Sequence, residues 1–261
     1  MNFQFDKYQG AGNDFIILED RSAQFPDQQF DQIQKLCDRH FGIGSDGLIL
    51  LRASDRADFK MLYFNSDGRP SSLCGNGSRC VYAFAHQHGW VGAEGSFETS
   101  DGLHKASLTA EGGVCIHMRD VDRVEERGDA IFLDTGSPHH IEFVDEVASI
   151  NVKERGRVIR YGAPYFEEGS NVNFVEQLSP DTFKIRTYER GVEDETLACG
   201  TGAVAVAIAA YHHQLTSINV LNIHAEGGIL KVSFISDAGQ YKNIQLEGPA
   251  TFVFSGNFKI V

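Results

Sequence analysis

The chain predicts an α+β fold made of two pseudo-symmetric lobes, each a strand-rich, barrel-like sheet around a central buried helix. Three observations carry that expectation. One short pattern occurs twice, as Cys74-Gly75-Asn76-Gly77 and as Cys199-Gly200-Thr201-Gly202. Each copy is preceded by an alternating, strand-like run (59–64 and 183–188) that opens on Phe-Lys and ends in a turn, Asn65-Ser66-Asp67-Gly68 or Glu189-Arg190-Gly191. Each copy is followed by a helical run, 78–85 or 203–210. The second run is apolar all round, which suits a helix buried on every side. Strand, turn, Cys-Gly-x-Gly and helix recur in the same order, as expected of a duplicated unit.

The elements follow in chain order. Residues 3–8 alternate and read as a strand, Gly10-Ala11-Gly12-Asn13-Asp14 as a turn, and 15–18 as an apolar strand. The third glycine of a dinucleotide fingerprint is missing from that turn. Residues 27–39 read as an amphipathic helix, and the tight loop 42–47 leads to the strand 48–51. Between 97 and 118 the chain reads as hairpins, with Asp101-Gly102 and Gly112-Gly113 as turn signals. A second series begins near Val121, with strands at 131–134, 141–144 and 171–175 before the second motif, and at 219–225, 229–235 and 243–247 after it. The expected lobes are 1–118, carrying Cys74, and 119–249, carrying Cys199, with the active site in the cleft between them.

Composition bounds the function. A chain of 261 residues with 42% hydrophobic content supports full cores, and a net charge of −13 argues against nucleic acid and against an anionic membrane surface. The start Met1-Asn2-Phe3-Gln4 has no cationic-then-apolar pattern of a signal peptide, and the longest apolar run, 203–211, is too short to span a bilayer. The expected location is cytoplasmic. Five cysteines (Cys37, Cys74, Cys80, Cys115, Cys199) are an odd count and a poor disulfide framework. Cys37, Cys80 and Cys115 fall in apolar patterns and read as core residues.

Cys74 and Cys199 differ, because each stands just before a helix start. Backbone N–H groups are unpaired there and the helix dipole is positive, so a thiolate is favoured. Two such thiols suit the removal of a proton from a weak carbon acid on one face and delivery of another on the opposite face. The N–H groups of Gly75, Asn76, Gly200 and Thr201 suit a carboxylate. A cysteine hydrolase would leave the second motif unused. The adjacent pairs His139-His140 and His212-His213 are poorly spaced for one metal ion, and no metal is expected. A redox dithiol and a purely structural pair stay open at this point.

The motifs resemble one family. Gly10-Ala11-Gly12-Asn13-Asp14-Phe15, Asn65-x-Asp67-Gly68 with Cys74-Gly75-Asn76-Gly77-x-Arg79-Cys80, Tyr188-Glu189-Arg190-Gly191 with 195–202, and Gly248-Pro249-Ala250 look like diaminopimelate epimerase. The resemblance implies an enzyme that needs no cofactor and interconverts LL- and meso-diaminopimelate in lysine and peptidoglycan precursor synthesis. It also implies a homodimer and a last strand (250–261) that completes the first lobe. By motif it makes Cys74 and Cys199 the acid/base pair and Gly75, Asn76, Gly200 and Thr201 the carboxylate cradle. Asn13, Asn65, Asn171, Glu189 and Arg190 then hold the rest of the substrate, with Arg190 on the distal carboxylate. Two departures stand out. Ser137 replaces an asparagine before Pro138-His139, and Gly47 follows Asp46 where some members carry glutamine. His139 and His140 read as structural.

Overall fold

A computed structural model describes residues 1–71 and 74–260. Ser72 and Leu73, in the loop before Cys74, and Val261 lie outside the described residues. The chain divides into two compact units, Met1–Ile116 with Gly248–Val261, and His117–Glu247.

The first unit begins with β1 (Asn2–Gly10) and β2 (Asn13–Glu19), followed by α1 (Phe30–Cys37), β3 (Gly47–Arg52) and β4 (Phe59–Asn65). Then come α2 (Gly75–Gln87), β5 (Glu94–Thr99), β6 (Gly102–Leu108) and β7 (Val114–His117). Successive strands pair antiparallel at β1–β2, parallel at β2–β3, antiparallel at β3–β4, parallel at β4–β5, and antiparallel at β5–β6 and β6–β7. The final strand, Thr251–Lys259, lies antiparallel on the other side of β1, with Asn2 opposite Lys259.

The second unit starts with β8 (Val124–Arg127), β9 (Ala130–Asp134), β10 (Pro138–Phe143), α3 (Val152–Tyr161), β11 (Asn171–Ser179) and β12 (Thr182–Glu189). The short β13 (Asp194–Thr196), α4 (Gly200–His212), β14 (Val220–Ala225), β15 (Gly228–Asp237) and β16 (Gln240–Gly248) complete it. Here β9–β10 is antiparallel, β10–β11 parallel, β11–β12 antiparallel, β12–β14 parallel, and β14–β15 and β15–β16 antiparallel. The order is that of the first unit, with β13, paired antiparallel to β12, as an added strand before the second central helix. β8, paired with β9, holds the place that the final strand holds on β1. The duplication seen in the two motifs thus extends through the whole topology.

Each central helix is buried because a sheet curls around it. In α4 every residue from Gly202 to Ala210 is buried, and only small or β-branched side chains fit that enclosure. α2 is buried from Gly75 to Tyr82. The other two helices cover one sheet face each. α1 seats Ile33 and Cys37 on Phe5, Ile16, Leu48 and Leu50. α3 seats Val152 beside Val172, Phe174 and Tyr188. Gly156 lets α3 approach closely, since a Cβ there would stand 2.4 Å from that of Tyr188.

Several local expectations shift. The helix expected at 27–39 stops at Cys37, because Asp38 is extended and its carboxylate accepts from the N–H groups of His40 and Phe41 (2.7 Å each). The two central helices start earlier than their apolar runs, at the glycine after each cysteine. α3, β8 and β13 have no counterpart in the sequence reading. Among the described residues no helix is long and apolar enough to cross a membrane.

Candidate active site

Cys74 is the N-cap residue of α2, in extended conformation (φ −107°, ψ 113°), and its Sγ accepts from the Gly77 N–H at 3.5 Å. Cys199 holds the same place on α4 (φ −118°, ψ 112°). An extended residue followed at once by helix is what an N-cap requires, and it aims the side chain at the open first turn. Gly75, Asn76 and Gly200 are buried and Thr201 partly so. Gly202 keeps the second site compact, because a Cβ there would lie 2.7 Å from Asn173 Oδ1 and 3.3 Å from Cys199 Cβ.

The remaining thiols do not stand at a helix start, whereas Cys199 does although it too is buried, at 7% exposed. Cys37, Cys80 and Cys115 are buried (3%, 0% and 8% exposed), and burial pushes the Cys80 thiol up to about 12. Cys37 is raised for the same reason. Neither is suited to carry a proton near neutral pH.

Around Cys74, the Asn76 amide donates to Asn13 Oδ1, and Asn13 Nδ2 donates to Asp46 Oδ2 at 3.0 Å. Asp46, the residue before the Gly47 departure, is therefore a partner of Asn13. A side chain at 47 has no room, since its Cβ would meet Phe64 O and the Tyr63 ring at 2.5 Å. Asn65 is exposed and closes the turn after β4, its N–H donating to Arg69 O at 3.0 Å.

Around Cys199, Thr201 Oγ1 stands 3.4 Å from Cys199 Sγ and 3.0 Å from His139 Nε2. Thr135 Oγ1 donates to Thr201 O at 2.9 Å. His139 is fully buried, and burial, with the Arg190 charge, pushes it down to about 3, so the ring is neutral. Asn173 fixes the tautomer. Its Nδ2 donates to His140 O (3.1 Å), which can only accept, and to His139 Nδ1 (3.1 Å). The ring proton is then on Nε2, and Thr201 is left with a hydroxyl proton for the sulfur. The sequence reads His139 as structural, and its full burial is compatible with that.

Asn171 is buried and held at both ends of its amide: Nδ2 donates to Ser137 Oγ (2.8 Å) and Pro138 O (3.0 Å), and Oδ1, which can accept a second bond, accepts from the Arg190 N–H (2.8 Å). Ser137 thus braces Asn171. Glu189 Oε2 accepts from Thr196 Oγ1 at 2.9 Å, and the exposed Arg190 donates through Nη1 to Glu168 O at 2.9 Å. In the first unit the structure gathers Cys74, Gly75, Asn76 and Asn13. In the second it gathers Cys199, Gly200 and Thr201, with Asn171 and Arg190 joined beside the same β10–β11 edge.

The comparisons with known proteins agree in direction. The family model described as diaminopimelate epimerase matches residues 5–124 and 131–253, one stretch in each half. The diaminopimelate epimerase of Flavobacterium psychrophilum is 50% identical, over 95% of this chain and 97% of that protein. That of Aquifex aeolicus is 40% identical, over 97% of this chain and 96% of its own length. Among solved structures, a phenazine biosynthesis protein of the PhzF family from Bacillus anthracis shares the fold, with a TM-score of 0.75 at 15% identity over 100% of both chains. A match that spans both copies of the repeat, and identity sustained over nearly the full length, place the sequence: the chain belongs to the diaminopimelate epimerase family.

Proposed function

We propose that the chain interconverts LL- and meso-diaminopimelate without a cofactor, by acid/base work of Cys74 and Cys199, as a step toward lysine and peptidoglycan precursors. The observation that carries this reading is the repeated N-cap: each unit offers one thiol at the start of one buried helix. The reading requires both helix starts to serve one substrate. One thiolate takes the α-proton, the other thiol delivers a proton to the opposite face, and the roles exchange with direction. Negative charge gathers on the α-carboxylate in the transition state, where the first-turn N–H groups of Gly75, Asn76, Gly200 and Thr201 stabilise it. Asn13, Asn65, Asn171, Glu189 and Arg190 hold the remainder, Arg190 on the distal carboxylate in forked geometry.

We place the protein in the cytoplasm as a homodimer. Phe252, Val253 and Phe254 on the final strand are 42%, 50% and 45% exposed and offer an apolar strip for a second copy. The activity is tested by incubating the purified chain with LL-diaminopimelate, without added cofactor, and following the stereoisomer ratio. Approach to a mixture of LL and meso forms supports the reading, and an unchanged ratio rejects it.

A further inference from the structure

Arg79 is a charged side chain for which the chemistry above has no task. It lies in the second turn of α2 and is 0% exposed. Burial disfavours its charge, the thiols Cys80 and Cys74 act in the opposite sense, and among the described residues no carboxylate pairs with it. Its donors go to neutral acceptors: Nη2 to Asn76 Oδ1 at 2.7 Å, Nε to Pro249 O at 3.3 Å and Nη1 to Gly75 O at 3.4 Å. A buried cation with only neutral partners is costly unless an anion forms beside it.

The fold does not require this charge. At the equivalent place in the second copy stands Val204, fully buried in α4, and that helix closes without any cation. Cys80 is not the missing anion, because burial keeps its thiol protonated. Cys74, partly exposed at the start of the same helix, remains.

Arg79 also heads a directed chain. It can only donate, and the Asp46 carboxylate can only accept. Between them Asn76 accepts from Arg79 and donates to Asn13, and Asn13 donates to Asp46. The two ends fix both amide orientations. Asp46 is held in turn by Arg39 at 2.7 Å, which also grips Asp14.

We propose that Arg79 is a positioning residue of the reacting site: its buried guanidinium is the counter-ion for a Cys74 thiolate, and its fork orients Asn76 and Asn13 toward the substrate. The inference rests on the reading of Cys74 as one of the acid/base pair. It makes the repeat electrostatically asymmetric, with a fixed cation in the second turn of the first central helix and a neutral Val204 at the equivalent place in the second.

The test uses the full chain as wild type, Arg79→Gln and Arg79→Lys. Iodoacetamide alkylation at one neutral pH, without substrate, is read by mass spectrometry at Cys74 and Cys199 in the same tube. KM and kcat for diaminopimelate are measured alongside. Gln keeps a donor and loses the charge, so Cys74 alkylation should fall about ten-fold, the equivalent of one pKa unit, while Cys199 stays within about two-fold. Lys keeps the charge and loses the fork, so Cys74 alkylation should stay within about three-fold while KM rises several-fold. An unchanged Cys74 rate in Arg79→Gln, or an equal fall at both cysteines, would overturn the proposal. Should that variant fail to fold, Arg79→Lys decides alone: normal alkylation with a raised KM supports it, and a normal KM overturns it. A wild type that does not epimerise diaminopimelate, yet loses Cys74 reactivity on Arg79→Gln, defeats the functional reading and leaves the counter-ion inference standing.

Discussion

His139 Nε2 lies 3.0 Å from Thr201 Oγ1, and the imidazole that makes this contact is neutral. Its folded-state value of about 3 lies below the ordinary histidine value of about 6.5. The unfolded chain therefore binds the extra proton first as pH falls. Stability is fully present above about 6.5 and is lost progressively toward pH 3. His104, also lowered by burial, adds with the same sign. Asp14 enters later. Burial opposes its ionisation, but Arg39 and Lys7 hold its carboxyl down to about 2, so its contribution is lost only below about pH 4. The thermal midpoint, followed by circular dichroism, should drop between pH 7 and pH 4.5, and His139→Gln should flatten part of that slope. A midpoint independent of pH in this window contradicts the buried neutral ring.

Cys74→Ala and Cys199→Ala should each abolish epimerisation, with a loss of at least about 1,000-fold, and leave the far-ultraviolet spectrum unchanged. Cys37→Ala and Cys115→Ala should instead lower the thermal midpoint and keep turnover, since both pack in cores. Activity within ten-fold of wild type in either of the first two variants would remove that thiol from the mechanism.

Arg190→Lys should lose activity mainly through KM, because an ammonium cannot reproduce a forked carboxylate contact. Amino acids without a second carboxylate should be poor substrates. Steady-state kinetics with alanine and proline checks this, and efficient racemisation of either contradicts the assignment of Arg190.

Gly156→Ala tests the packing of α3. The new methyl would meet Tyr188 Cβ at 2.4 Å, so the helix must shift or the strand must move. The expected cost is about 1–3 kcal/mol of unfolding free energy by urea denaturation. A cost near zero would mean that α3 is not seated on β12 as described.

Much of this architecture was legible because it is written twice. The Phe-Lys strands, the turns and the Cys-Gly-x-Gly motifs pointed to the α+β class, to the repeat and to a cysteine at the start of each central helix. α3 was missed because its exposed face is densely charged (Lys153, Glu154, Arg155, Arg157) and Gly156 interrupts its apolar pattern. Carrying the repeat further would have found it, since α1 occupies the matching place between β2 and β3. The partners of His139 were not legible for a different reason. A histidine beside another histidine on a strand carries no sequence mark of burial, and its partners Thr201 and Asn173 are distant in the chain. The orientation of Asn13 and Asn76 was likewise invisible, because the two residues that set it, Arg79 and Asp46, lie on different elements.

If two thiols serve opposite faces of one α-carbon, as proposed, hydrogen exchange distinguishes them from a single base. In heavy water the arriving proton comes from a thiol that exchanges with solvent between turnovers. Product and remaining substrate are separated at low conversion and weighed by mass spectrometry. Deuterium is expected at the inverted α-carbon of newly formed product, with little in recovered substrate. Product that retains mostly the original hydrogen would show one group serving both faces, and would contradict the pairing of Cys74 with Cys199 even if both prove essential.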